Sequence, residues 1–436
     1  MKSSGVEWIG EIPENWEVKR GKELFFEIND RCKNPENYPL LSVSEYYGVA
    51  PKSEKIDEGD FITHAETLDG YKICQEGDIV QNIMLAWKRA TGMSNYEGLI
   101  SPAYCIYRPF KGVDSKYYHY LFRTDVYADL FKQFSTGIID SRLRLYPAKF
   151  LSLKYAYPPK STQQRIASYL DKKCSKIEET IQNQQQVIEK LKAYKQSLIT
   201  EAVTGKIKIQ NGKVCGKYES YKDSGVEYLG KIPSNWKAKR LRYIGKCQNG
   251  ISKGGEFFGS GYPFVSYGDV YNNLILPETV SGLIESTPEE QENYSVKAGD
   301  IFFTRTSETI EEVGFTSVCL KTIKNATFAG FVIRVRPFTD ELIPDYSKYY
   351  FSSDAHRRFF VKEMNLVTRA SLSQDLLKRL PVLIPSKEKQ KEIADYLDKK
   401  CTAIDTAIEQ KQKLIEKLTE YKKSLIYECV TGKKEI

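Results

Sequence analysis

Three short segments of this chain have the outline of known chemistry, and each lacks a group that the chemistry needs. Gly250-Ile251-Ser252-Lys253-Gly254-Gly255 is glycine-rich like a phosphate cradle. It is not a G-x-x-x-x-G-K-[ST] motif and lacks the strand–G-x-G-x-x-G–helix setting, so it reads as a loop. Tyr157-Pro158-Pro159-Lys160 has the outline of the Asn/Asp-Pro-Pro-aromatic turn that grips an exocyclic amine for methyl transfer. Tyr157 has no amide or carboxylate oxygen to accept from that amine, and Lys160 has no ring to stack on a base; the segment reads as a domain-ending turn. Glu409-Gln410-Lys411 has E-x-K nuclease spacing but falls in a long helical pattern. The three histidines, His64, His119 and His356, are not in metal-ligand spacing, and the nine cysteines include no C-x-x-C pair. No catalytic residue and no metal ligand is assigned. The scattered thiols fit a reduced, cytoplasmic protein.

The elements that would position any site come in two copies. Ser4-Gly5-Val6-Glu7-Trp8-Ile9-Gly10, with Ile12-Pro13 and Asn15-Trp16, returns 220 residues later as Ser224-Gly225-Val226-Glu227-Tyr228-Leu229-Gly230, with Ile232-Pro233 and Asn235-Trp236. Tyr169-Leu170-Asp171-Lys172-Lys173-Cys174 returns 227 residues later as Tyr396-Leu397-Asp398-Lys399-Lys400-Cys401. This period is far longer than the roughly 20–50 residues of a solenoid unit and marks a duplicated domain. In each copy, short apolar runs such as Gly77–Val80, Tyr104–Tyr107, Tyr262–Val265 and Phe331–Val335 predict strands. Helical stretches over Ser115–Gln133 and Tyr346–Met364 lie among them. The 436 residues carry Lys+Arg 65 against Asp+Glu 57, a mild excess of +8 that an ordinary solvated surface also explains. Thirty tyrosines suit polar, wet binding surfaces. No apolar run approaches the roughly 20 residues of a membrane span.

From Ser161 to about Val203, and from Ser386 to about Val430, glycine and proline vanish and a long helix is predicted. Ser161 or Thr162, and Ser386, are candidate caps at the starts, and Gly205 and Gly432 stand just past the ends. Ile177, Ile181, Ile188, Leu191 and Leu198 lie at alternating three- and four-residue steps once Gln184 and Lys195 fill the gaps. Ile404, Ile408, Ile415, Leu418 and Leu425 repeat the seam, with Lys411 and Lys422 at the matching breaks. Polar seam positions can specify register; the lysines could equally lay their stems along the seam with their heads in water. Matched seams in twofold-repeated helices predict antiparallel pairing, with one globule at each end. The fold class is therefore α+β: two mixed α/β globules in tandem, separated by two long helices that pair as an antiparallel coiled coil with pseudo-twofold symmetry.

The opening signature, its repeat, and the Gln163-Gln164-Arg165-Ile166-Ala167 entry into the first long helix closely resemble the specificity subunits of type I restriction–modification systems over essentially the whole chain. The resemblance implies a first target-recognition domain over 1–158, a central spacer helix over 159–206, a second recognition domain over 207–385 with a linker at 207–217, and a distal helix and tail over 386–436. It implies a non-catalytic subunit that binds bipartite, asymmetric double-stranded DNA, one half-site per domain. The helices would set the spacer and dock two methyltransferase subunits that bind S-adenosylmethionine. A motor–nuclease subunit would use ATP and Mg. No cofactor is expected on this chain, and no membrane partner.

The globules diverge between shared ends. Gly77-Asp78-Ile79 matches Gly299-Asp300-Ile301, and Arg108-Pro109-Phe110 matches Arg336-Pro337-Phe338, yet little else aligns. Base edges need donors and acceptors on loops. In the first globule the candidates are Lys88, Arg89, Ser141, Arg142 and Arg144. In the second they are Lys253, Tyr267, Asn272, Thr304, Arg305, Thr306, Ser307, Arg369, Ser371 and Ser373, the last three resembling a family loop before the closing strand. An ordinary solvated or phosphate-contacting role competes at every one. Two other readings stay open: the recognition subunit of a system with a fused catalytic partner, and a DNA-modifying enzyme. A coiled-coil scaffold without a DNA role fits the Tyr-rich, turn-rich globules poorly.

Overall fold

Ile79-Val80-Gln81-Asn82 and Ile301-Phe302-Phe303-Thr304 are buried at every position, so each is a strand covered on both faces. Glycines at φ +88 (Gly77) and +91 (Gly299) turn the chain into them, a conformation that a Cβ would strain. The computed structural model describes residues 1–33, 35–53, 68, 70–307, 313–363 and 370–436, and at Ser307 and Ala370 the backbone alone. His64 and Arg369 lie outside the described residues. The chain divides into unit 1, residues 1–185 with 412–436, and unit 2, residues 186–411.

In unit 1, β1 (Glu17–Arg20), β2 (Phe25–Ile28), β3 (Ile79–Asn82), β4 (Thr91–Met93) and β5 (Tyr104–Pro109) precede the helices α1 (Ser115–Phe122) and α2 (Asp125–Gln133). Then come β6 (Lys154–Tyr157) and the long helix α3 (Lys160–Val203). The sheet order is β2-β5-β3-β4, antiparallel throughout, and β6 closes the globule on β1. Unit 2 repeats the plan with β7 (Lys237–Arg240), β8 (Gly245–Asn249), β9 (Ile301–Thr304), β10 (Thr306–Ser307), β11 (Thr316–Val318) and β12 (Val332–Pro337). There follow α4 (Pro344–Ser352), α5 (Asp354–Glu363), β13 (Ala370–Ser371), β14 (Pro381–Ile384) and the second long helix α6 (Lys387–Val430). Its sheet order, β8-β12-β9-β11, is the same, and β14 closes on β7. Phe25 pairs with Pro109 as Gly245 pairs with Pro337, so the register repeats too.

Each predicted helical stretch is two helices. The break falls at Thr124 and at Ser353, whose hydroxyls donate to the Leu121 and Tyr350 carbonyl oxygens at 2.8 and 2.6 Å, satisfying groups that the next turn would have used. The first long helix begins at Lys160, directly after Pro158-Pro159, so neither Ser161 nor Thr162 caps it. Ser386 does cap the second, accepting from Lys389 N–H at 3.3 Å. Residues 207–217 hold a small hairpin, Ile209–Gln210 with Lys213–Val214, turned through the left-handed residues Asn211 and Gly212.

Every seam position is buried or half-buried, between runs of exposed residues. Within unit 1, Ile177 and Cys174 of α3 share a core with Leu425 and Cys429 of α6; within unit 2, Leu198 and Ala202 share one with Cys401 and Ile404. In both units the helix halves therefore run antiparallel. The lysines at the seam breaks cross to the other helix: Lys422 pairs with Glu178, and Lys195 with Asp405 at 2.6 Å. Their stems follow the seam and their heads end on a carboxylate.

Candidate nucleic-acid interface

The repeated motifs of the globules turn out to hold one another. Asp78, whose side chain is 2% exposed, accepts two bonds of 2.9 Å from Arg108. Asp300, 1% exposed, accepts bonds of 2.7 and 2.6 Å from Arg336. Gly-Asp-Ile and Arg-Pro-Phe are thus the two sides of a bidentate, charge-assisted clasp between neighbouring strands. Gln163 and Gln390 serve as a second clasp. Each accepts from the backbone N–H of the N-cap residue of an earlier globular helix, Asp114 at 2.8 Å and Ile343 at 2.9 Å, and donates to its own entry loop. Tyr117 and Tyr346 donate to the carbonyl oxygens of Val430 and Val203, the last residues of the long helices. Beyond those ends Gly432 and Gly205, at φ +73 and +72, lie so close to Pro13 and Pro233 that a Cβ would approach within 2.5 and 2.4 Å. The Ile-Pro-x-Asn-Trp signature is the seat on which a helix end rests.

The frame brings two loops to one place in each unit. In unit 1, Leu145 N–H donates to Ile83 O at 2.9 Å, so the loops 83–90 and 135–144 leave the sheet side by side. In unit 2, Leu372 N–H donates to Arg305 O at 2.7 Å, and β10 pairs with β13, Thr306 opposite Ser371. The junction is the same and the side chains differ.

Within unit 1 the structure gathers Lys88, Arg89, Ser141 and Arg142. Lys88 and Lys132 Nζ lie 5.3 and 4.8 Å from the Trp87 ring centre, and Lys132 reaches Asp140 at 2.9 Å, linking the two loops. Lys88, Ser141 and Arg142 are exposed. Arg89 sits at φ +68 and pairs with Asp125. Its backbone is held by Arg123, whose guanidinium donates to the carbonyls of Ser44, Glu45, Tyr46, Arg89 and Thr91. Arg144 is half-buried and turns back on its own loop, donating to Leu143 O at 2.9 Å. The Trp87–Lys132 link escaped the sequence reading, although Trp87-Lys88-Arg89 carries its signal: an aromatic beside two cations.

In unit 2, Tyr267, Arg305, Thr306 and Ser371 come together. The Tyr267 hydroxyl donates to Thr306 O at 3.0 Å, and its ring stacks on Tyr271 at 5.8 Å. Ser307 is paired through its backbone with Ala370. Asn272 is exposed at the end of the helix Tyr267–Tyr271, its amide donating to Gly268 O at 2.9 Å. Ser373 is exposed but caps the helix Gln374–Arg379. Two candidates are corrected, one by burial and one by its partners. Thr304 is fully buried and its hydroxyl accepts from Phe315 N–H at 2.9 Å, so it faces the core. Lys253 is committed to Glu290 Oε2 at 2.7 Å and Glu285 O at 2.8 Å; its hydrogen bond holds the Glu290 carboxyl below the usual range.

The titratable groups of the cores are set for packing. Burial pushes His119 and His356 down to about 3, which keeps both rings neutral. Burial pushes the Cys174 thiol up to about 11.

Residues 233–419 match the family model described as the type I restriction modification DNA specificity domain. The chain is 23% identical over 447 residues to the EcoKI specificity subunit of Escherichia coli K12, covering 97% of this chain and 90% of that protein. It is 24% identical over 440 residues to the MjaVIII specificity subunit of Methanocaldococcus jannaschii, covering 97% and 93%. Among solved structures, a chain from the complex assembly and conformational transition of a type I restriction–modification system superposes with a TM-score of 0.72 at 13% identity, over 97% of this chain and 100% of that one. The HsdS subunit of Thermoanaerobacter tengcongensis superposes at 0.56 and 14% identity, over 97% and 98%. The two likenesses bear on the fold alone. Over nearly its whole length the chain is similar to specificity subunits of type I restriction–modification systems, and the family's DNA specificity domain is matched within its second half.

Proposed function

We propose that this chain reads a bipartite, asymmetric DNA target, one half-site per unit, as the sequence-recognition subunit of a restriction–methylation complex. One observation carries the reading: the same strand-end junction presents two loops in each unit, and those loops carry unlike side chains. A shared frame with different polar tips is what two different DNA words require. Lys88, Arg89, Ser141 and Arg142 would read or position one half-site. Tyr267, Arg305, Thr306, Ser307 and Ser371 would read the other; Arg144 would stand at the margin of the first site and Asn272 and Ser373 at that of the second, with Arg369 a further candidate of the second by its sequence alone. The paired helices, 44 residues each, would set the spacer and dock two methyltransferase subunits. S-adenosylmethionine would be held by those partners, and ATP and Mg by a motor–nuclease subunit.

Mapping methyl-adenine across the genome of cells expressing the chain with its methyltransferase partner tests this directly, and a bipartite motif is expected. Arg305→Ala should relax or abolish recognition at one half-site while methyltransferase binding persists; unchanged methylation of the full motif would remove Arg305 from the reader. Lengthening both helices by one turn, about 5 Å, should change the spacer by about one or two base pairs and leave the half-sites alone. Unchanged spacing would sink the ruler.

A further inference from the structure

The loop 135–144 ends in an apolar tip that none of the described residues of its unit covers. Ile138 is 99% exposed and Ile139 54%. Single exposed isoleucines are common on protein surfaces; this one is set apart by how firmly it is held. Thr136 and Arg144 exchange backbone hydrogen bonds of 2.9 and 3.0 Å at the loop base. Asp140–Arg142 form a tight turn, and Asp140 is anchored by Lys132 at 2.9 Å. Gly137, at φ +155, lies where a Cβ would come within 2.6 Å of Arg142 O, so the loop closes tightly on itself. The chain leaving the loop is bolted to the sheet through Leu145 and Ile83.

The surroundings are cationic. Arg142 is exposed on the same loop, Arg144 stands at its base, and Lys88 lies against Trp87, on whose ring Lys132 also rests while it pairs with Asp140. A stiff, uncovered, β-branched tip among cations is the chemistry of a wedge: the cations hold phosphates while the apolar group enters the base stack. Two apolar residues are far too small a patch for a stable protein interface of about 800 Å² per partner. We propose that Ile138, backed by Ile139, is a wedge that unit 1 inserts between base pairs of its half-site. Part of that unit's specificity would then come from how easily the step opens, in addition to hydrogen bonds to base edges. The wedge rests on the DNA-reading function proposed above.

The test uses the full chain with its methyltransferase partner, on duplexes carrying the mapped target. Each purine in and beside the half-site that Arg305→Ala leaves unaffected is replaced singly by 2-aminopurine, whose fluorescence rises when stacking is lost. The wild-type complex should brighten severalfold at one step. Ile138→Ala should return that position to the level of free duplex and weaken binding about tenfold, the affinity equivalent of an isoleucine losing part of its burial. Ile138→Leu should retain the signal, and both variants should fold, because the side chain lies outside the core. A wild-type complex that brightens nowhere, or an alanine variant that brightens equally, overturns the wedge while bipartite binding keeps the reading function intact. Absence of any bipartite binding overturns both.

Discussion

Asp78 and Arg108 of unit 1 stand 30 residues apart, Asp300 and Arg336 of unit 2 stand 36 apart, and both pairs make a bidentate clasp. The insertions between them differ, yet the clasp does not. Tyr120 reaches Asp171 at 2.8 Å as Tyr349 reaches Asp398 at 2.6 Å, and Gln163 and Gln390 tie the same two backbone segments. Against this, Trp87, Lys132 and Asp140 link the loops of unit 1, whereas unit 2 pairs β10 with β13 and stacks Tyr267 on Tyr271. Repetition is confined to contacts that hold the frame, and it ends where the loops leave the sheet. A duplicated protein that reads two words must keep its geometry and change its tips.

If the clasps are equivalent, breaking either should cost the same and stay local. Removing the arginine leaves the buried carboxylate uncompensated, which costs about 3–5 kcal/mol. Arg108→Ala should therefore lower the unfolding midpoint of unit 1, and Arg336→Ala that of unit 2, with hydrogen exchange showing which unit opens. A large loss in one unit and none in the other would break the equivalence at its strongest point.

The histidines sharpen the comparison, because they are not repeat partners yet share a fate. His119 accepts from Met93 N–H at 3.2 Å and faces Arg123 and Lys116; His356 lies beside Arg357. Each has a folded value near 3, below the ordinary 6.5. The neutral ring therefore stabilises the fold fully above about pH 6.5, and that stability drains as pH falls toward 3. The slope is up to about 1.4 kcal/mol per pH unit per histidine. Denaturant titrations between pH 7 and 4 should show it, and His119→Gln should flatten the slope of unit 1 alone. A slope unaffected by the substitution would mean the ring charges in the folded state.

Smaller effects belong to the helix seats. Tyr117→Phe removes one bond to Val430 O, at 2.7 Å, and Tyr346→Phe removes bonds to Val203 O and Leu383 O, at 3.1 and 3.3 Å. Each should cost about 1 kcal/mol. Amides just past the affected helix end should exchange faster, around 431–434 in the first case and 204–207 in the second. Equal exchange at both ends in either variant would argue that the tyrosines do not seat the helices.

What the sequence shows plainly are features written in local spacing. Three- and four-residue steps give the long helices and their seam, and glycine past the last apolar position gives their ends. Gly77 and Gly299 announce the turns into buried strands. Partner choice is another matter. Gly-Asp-Ile and Arg-Pro-Phe both stand out as repeats, but nothing local says that Asp78 chooses Arg108. Gln163 reads as a polar residue in the first turn of a helix; only the approach of Asp114 makes it a clasp. Thr304 looks like an exposed hydroxyl at a strand end and is buried because Phe315 returns over it. Thr124 sits inside a plausible helix, and its turn back to Leu121 depends on the following segment packing elsewhere. The candidate loops were legible as places, since strand signals end there. Their membership was not, because Lys253 and Lys132 differ only in which carboxylate lies nearby.

The seam lysines carry the smallest expected effect and the sharpest question. Lys422 with Glu178 and Lys195 with Asp405 occupy repeat-equivalent positions, each half exposed to solvent screening. Exposed pairs of this kind contribute about 0.2–1 kcal/mol, so neither holds the helices together. Their value lies in what they forbid. Sliding one helix by a turn would put Cys174 or Gln182 where Glu178 stands, and Cys401 or Glu409 where Asp405 stands, so Lys422 loses its carboxylate in either direction and Lys195 in one. Lys195→Met should leave stability within about 1 kcal/mol of wild type, or raise it by improving the apolar seam. The exchange Lys195→Asp with Asp405→Lys should restore the coupling, measured as a double-mutant cycle. Replacing both lysines by Met should leave helix content unchanged while loosening register, seen as added methylation at spacers one or two base pairs from the wild-type value. A single spacer retained in the double variant would assign register to the apolar residues alone and reduce the lysines to stems lying along a seam.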